Sequence, residues 1–150
     1  MRKHCLLACV LATALLGGCA SVPMTSASLD SEAKNFTPEP GKASIYVNRG
    51  GGIGTALVFQ TVLDGRIVGS LAPHTYQLLS VPPGEHTLAV TSAENVEQMQ
   101  FTADAGENYF FKVSVSMGWA TGHARLEAID EERGRKQVLS SKRAEATTYQ

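Results

Sequence analysis

Tyr109-Phe110-Phe111-Lys112-Val113-Ser114-Val115-Ser116-Met117 decides the fold class. Tyr109, Phe111, Val113, Val115 and Met117 alternate with Phe110, Lys112, Ser114 and Ser116, the period of two of a half-buried strand. Upstream, Met99, Phe101 and Ala103 alternate with Gln98, Gln100 and Thr102. The short link Asp104-Ala105-Gly106 predicts that these two strands form a hairpin. Before them His86, Leu88 and Val90 alternate with Thr87, Ala89 and Thr91, after a Pro82-Pro83-Gly84 reversal.

Farther out, Asp64-Gly65 separates Ala56 to Leu63 from Arg66 to Leu71, and Asp-Gly suits a two-residue hairpin turn because both central positions take positive φ. Val58, Phe59, Val62 and Leu63 also fit a helical period; the β-branched content and the turn decide for strands. Ala43, Ile45 and Val47 make a first strand and Thr75 to Val81 a middle one. His123 to Ile129 makes a last strand with Ala124, Leu126 and Ala128 inward. The expectation is an all-β fold, a sandwich or open barrel of about eight short antiparallel strands. Asp130 caps a short C-terminal helix through Leu139, with Glu131 and Glu132 in its first turn and Gly134 a weak point.

At the N-terminus Arg2 and Lys3 precede an apolar run from Cys5 to Leu16, the charged start and short core of a secretory signal. That run is too short for a permanent membrane span. Leu16-Gly17-Gly18-Cys19 resembles the lipobox of bacterial lipoproteins, which implies cleavage before Cys19 and lipidation, including palmitate, of that cysteine. Ala20, in place of the Asp that marks inner-membrane retention in this class, implies outer-membrane placement on the periplasmic face.

The chain thus divides into a signal peptide (1–18), a lipidated tether (19–42), a β-sandwich domain (43–139) and a polar tail (140–150). Taking residues 1 to 18 from the 150 leaves 132, one domain's worth. Cys5 and Cys9 leave with the signal, so Cys19 remains alone and no intrachain disulfide can form. Taking Arg2 and Lys3 from 13 basic side chains leaves 11 against 14 acidic, a formal charge of −3. That balance gives no electrostatic footprint for nucleic acid or for anionic lipid. Ala20 to Lys42 is rich in Ser, Ala, Thr and Pro with one large aromatic, Phe36, and reads as flexible coil. Such a coil of about 22 residues would span on the order of 25 Å.

Gly41-Lys42-Ala43 leading into Ile45-Tyr46-Val47, Leu63-Asp64-Gly65-Arg66-Ile67-Val68-Gly69, Val81-Pro82-Pro83-Gly84-Glu85-His86-Thr87-Leu88 and Ala105-Gly106-Glu107-Asn108-Tyr109-Phe110 recur in one order behind the lipobox. In this the chain resembles the domain-of-unknown-function 2846 family of small bacterial lipoproteins, over nearly its whole length. The Pro-Pro-Gly-Glu-His segment also resembles, more weakly, the turn of PEGA modules and their transthyretin-like relatives. That second likeness implies a β-sandwich and a non-catalytic role. The family brings no assigned activity and no catalytic residue.

Features that could carry chemistry have plainer readings. Arg49-Gly50-Gly51-Gly52-Ile53-Gly54-Thr55 lacks the Lys of a phosphate-binding loop and leads into a strand, so it reads as a strand connection. His74, His86 and His123 lack the close pairing of a zinc site, and no metal or cofactor is expected. Ser70 lies in no G-x-S-x-G elbow, and Glu131 and Glu132 point in different directions. Trp119, the one Trp, either covers the core's open end or presents a contact surface.

Strands that each cross the domain exit at alternating ends, which sends the irregular connections to one end and the tight turns to the other. On that count Arg49, His74, Trp119 and His123 are the expected partner-binding residues, with no catalytic set, and Gly41 lies at the tight-turn end, nearest the membrane. The chain then reads as a non-enzymatic module anchored to the membrane by its lipid and meeting an envelope protein or cell-wall glycan. The alternative is a small envelope hydrolase or ligand carrier using loop-end histidines. A polar pocket joining at least two of His74, Glu94 and His123 would favour that alternative.

Overall fold

The computed structural model describes residues 21–54, 56–120 and 122–147. In chain order these form α1 (Ala27–Ala33), β1 (Ala43–Arg49), β2 (Phe59–Leu63), β3 (Arg66–Leu71), β4 (Thr75–Val81), β5 (Gly84–Thr91) and β6 (Val96–Ala103). There follow β7 (Asn108–Met117), β8 (Gly122–Ile129), α2 (Glu131–Leu139) and β9 (Lys142–Arg143). One sheet has the order β8-β7-β1-β4-β9, and it faces a second sheet ordered β3-β2-β5-β6. The architecture is the expected sandwich, and it is not a closed barrel.

The inner faces meet where the alternation placed them. Ile45, Leu79, Phe111 and Val113 of the first sheet pack on Phe59, Leu88 and Val90 of the second. Two readings of connectivity are corrected. β6 and β7 are not a hairpin but lie in different sheets, because their apolar faces oppose each other across the core, with the Phe101 and Phe111 rings 5.0 Å apart. Nor is the pairing wholly antiparallel: β1 runs parallel to β7, and β4 parallel to β9. Crossing from sheet to sheet returns β7 beside β1 in the same direction, a long-range pairing that no local pattern encodes.

The outer face of the first sheet is also buried. Ala33, Phe36, Tyr46, Tyr76, Phe110 and Val138 form a second apolar cluster under the two helices, with the Tyr46 and Phe110 rings stacked at 5.1 Å. All seven residues of β1 are therefore buried. Asp130 caps α2 as expected, its side chain accepting from Arg133 N. Met117 and Ala128, read as inward-facing, are exposed at strand ends.

From Ser21 onward the flexible-tether reading of 19–42 is corrected. Ser26 caps α1, the Tyr46 hydroxyl donates to Ala33 O at 2.7 Å, and Phe36 is 7% exposed. A helix of seven residues does not stand by propensity; tertiary packing of Ala33 and Phe36 holds it. The polar-tail reading is corrected as well. Lys142 N donates to His74 O, Ala144 N to Tyr76 O and Thr147 N to Val68 O, so the tail joins the open edges of both sheets. The first and last described segments meet there, since Thr25 N donates to Arg143 O and Glu145 N to Pro23 O. Charged side chains alternating with inward Ala144 and Ala146 concealed this strand. The signal peptide, the lipobox and Cys19 lie outside the described residues.

Candidate functional site

Register explains which loops gather. Arg49 pairs with Thr75 and with Val113, which brings the end of β1, the start of β4 and the upper part of β7 together. In the facing sheet Phe59 pairs with Leu71 and Gln60 with Thr91, which collects the other chain reversals at the same end. Segments 50–54, 56–58, 72–74, 92–95 and 118–120 therefore share one end of the sandwich. The tight turns at 64–65, 82–83 and 104–107 share the other, and Gly106 N donates there to Lys42 O.

The four expected residues divide by environment. Arg49 is 2% exposed, and its guanidinium donates to the carbonyls of Gly54, Leu57 and Leu71 while lying over the Phe59 ring. Burial pushes its pKa down. It pins the 50–58 loop across both sheets, so its place in the partner-binding set is corrected to a structural one. His74 is exposed, with φ 59°, and its ring lies so near Gly51 that a β-carbon there would be 2.4 Å from Cε1.

Trp119 and His123 come together on the β7–β8 side through a residue that carried little signal, Glu94. Its Oε1 accepts from Ala120 N at 2.8 Å and its Oε2 from Trp119 N at 3.1 Å. Nε2 of His123 lies 2.9 Å from the same Oε2. Beside it Asn95 continues the ladder with its side chain: Nδ2 donates to Ala124 O, and Oδ1 accepts from Ala124 N, each at 2.9 Å. Ser92 Oγ accepts from Glu94 N and Asn95 N. The Ser92-x-x-Asn95 spacing is the one sequence clue to this turn, a side-chain turn motif.

This scaffold holds the tip outward. Trp119 is 99% exposed, Met117 85% and Ile53 68%. With Leu57 and Val115 they border a shallow apolar groove of about 290 Å³. Glu94, His123 and His74 are not among that groove's lining residues. Among the described residues no group of three or more His, Cys, Asp or Glu is placed to hold a metal ion.

At the opposite end His86 is buried between two acceptors. Nδ1 lies 2.7 Å from Asp64 Oδ2, and Nε2 lies 2.8 Å from Pro82 O. A ring whose two nitrogens both face acceptors is favoured as imidazolium. Burial opposes that charge, but the Asp64 and Pro82 hydrogen bonds and the Asp64 charge outweigh it and raise the His86 pKa. Burial likewise opposes the Asp64 carboxylate, yet Thr87 N and His86 hold its pKa below the usual value. His86 thus ties a tight turn together.

A family model described as "Protein of unknown function (DUF2846)" matches residues 39–124, from just before β1 into β8. An uncharacterized protein of Haemophilus influenzae (strain ATCC 51907 / DSM 11121 / KW20 / Rd) is 33% identical over 125 residues, which are 83% of this chain and 74% of that protein. No solved structure matches.

Proposed function

The chain belongs to the DUF2846 family of proteins of unknown function, and from that premise we propose that it is a lipid-anchored envelope protein serving as a non-catalytic interaction module. The anchor reading rests on the charged start, the apolar run and Leu16-Gly17-Gly18-Cys19. Ala20 supports outer-membrane placement facing the periplasm. Among the described residues no helix is long and apolar enough to cross a membrane.

One observation carries the interaction reading: a fully exposed Trp119, flanked by Met117 and Ile53, stands on a hairpin tip fixed from below by Glu94. Large aromatics held rigidly in water are the anchors that dominate protein interfaces, and a loop on a rigid scaffold is where recognition residues collect. The aliphatic neighbours favour an envelope protein over a hydroxyl-rich glycan. The Glu94–His123 contact favours the hydrolase or ligand-carrier alternative, which asked for such a pair. However, Glu94 also accepts two tip amides, and that supports a holding role.

A photo-crosslinking residue at position 119 in living cells tests the reading. A discrete protein adduct, lost with Met117→Ser and Ile53→Ser, is expected; labelling no stronger than from an exposed site such as Gln98 would overturn it. Replacing Cys19 with Ser should abolish palmitate incorporation and release the protein from the membrane fraction.

A further inference from the structure

Order begins almost at the anchor. If Cys19 carries lipid, as the anchor reading holds, two peptide units separate it from Ser21, a reach of at most about 7 Å. Ser21 already precedes a fixed segment: Pro23 O accepts from Glu145 N, Met24 bridges Ala144, and Thr25 N donates to Arg143 O. The chain enters the fold at the β9 edge and not at Gly41, so the tether that would have lifted the domain has no length left. We propose that the domain sits on the bilayer by its β9 edge, with the β7–β8 side turned away from it.

The edge suits that occupant. Met24 is 40% exposed, Leu29 46% and Ile67 61%. Met24 and Leu29 flank β9, whose Arg143 donates to Leu29 O, and Ile67 stands on β3 beside Val68, which receives the tail at Thr147. Lys142, on β9 itself, is exposed. Apolar side chains flanking the basic β9 strand match a surface of headgroups over acyl chains. Three to four strand intervals separate β9 from β7 and β8, on the order of 15–20 Å at the spacing of paired strands. The seat therefore holds the Trp119 tip clear of the headgroups and toward the compartment. It replaces the expectation that Gly41 lies nearest the membrane.

Mature lipidated protein in phosphatidylethanolamine–phosphatidylglycerol vesicles tests this. Cys19 would be its single native cysteine and blocked by lipid, so Met24→Cys, Ile67→Cys, Gln98→Cys and Arg125→Cys each take one fluorophore. A nitroxide on the lipid headgroup should quench positions 24 and 67 strongly and leave 98 and 125 bright. A Gly/Ser insert of about 12 residues between Ala20 and Ser21, spanning on the order of 20 Å, should erase the difference. Equal quenching at all four sites without the insert overturns the seat while leaving the anchor intact. Unchanged palmitate labelling and membrane fractionation in Cys19→Ser overturn the anchor, and the seat with it.

Discussion

A β-carbon on Gly134 would lie 2.2 Å from Cγ of Phe110 and 2.5 Å from its Cβ. Helix α2 approaches the sheet so closely that a hydrogen is all the space admits. Alanine there would gain about 1 kcal/mol of helix propensity, but the overlap falls on the root of Phe110 and not on a movable tip. Gly134→Ala should therefore destabilise the domain by about 1–3 kcal/mol. Urea unfolding of Gly134→Ala, alone and with Phe110→Ala, checks this; a stabilised single variant would show that the helix moves freely.

That glycine marks where sequence and structure part. Read alone it weakened the helix, because propensity is local and its cause, Phe110, stands 24 positions away. Features that live within a few residues were legible: the alternation of β7, Asp130 as a cap, and Asp64-Gly65, whose φ values are 49° and 78°. Pairings between distant segments were not. Nothing near Asp104-Ala105-Gly106 says whether its strands share a sheet or face each other. Phe36 was the one sign that a Ser- and Pro-rich stretch would pack. At the loop end the alternation of exits was legible, while Arg49 turning inward and Glu94 collecting the tip amides depend on side-chain directions that spacing does not encode.

The His86–Asp64 contact should make stability depend on pH in a defined window. The folded pKa of His86 is raised above its usual 6.5, so its contribution is complete below that value and is lost as pH rises through the folded pKa. Asp64 is lowered from its usual 3.8, so its contribution is present above that value and lost as pH falls through the folded pKa. The pair should contribute most between about pH 4 and 6.5. Asp64→Asn keeps a residue that tolerates positive φ and removes the charge. The gap in urea midpoint between wild type and Asp64→Asn should be widest in that window and narrow above it; a constant gap from pH 5 to 9 would refute the coupling.

Arg49 distinguishes a buried tie from a contact residue. Its removal leaves carbonyls of Gly54, Leu57 and Leu71 without that donor. Arg49→Ala should cost about 2–4 kcal/mol, for a lost charged hydrogen-bond set plus a cavity. Lysine should recover little of it, since one ammonium cannot reproduce the planar fork. Hydrogen exchange should quicken across segment 50–58. Retained stability in Arg49→Ala with a lost crosslink at 119 would return Arg49 to the contact set.

The same logic, applied to Glu94, separates holding the tip from performing chemistry. The carboxylate accepts from two successive backbone amides and meets His123, so its loss should free segment 118–121 while the sandwich core stays packed. Glu94→Gln keeps one amide-accepting oxygen and should hold the tip partly; Glu94→Ala should not hold it. In hydrogen exchange, Trp119 and Ala120 amides should speed up in the order wild type, Gln, Ala, with β1 and β7 unchanged. Crosslinking from 119 should fall in that order too, because an anchor that must be ordered on binding loses affinity to that ordering. His123→Gln supplies the counter-test. If Glu94 acts as a base oriented by His123, both Glu94→Gln and His123→Gln should abolish function equally while the tip stays protected. If Glu94 is a latch, function should track protection of the Trp119 amide, and His123→Gln, which leaves both amide contacts in place, should cost less than Glu94→Ala.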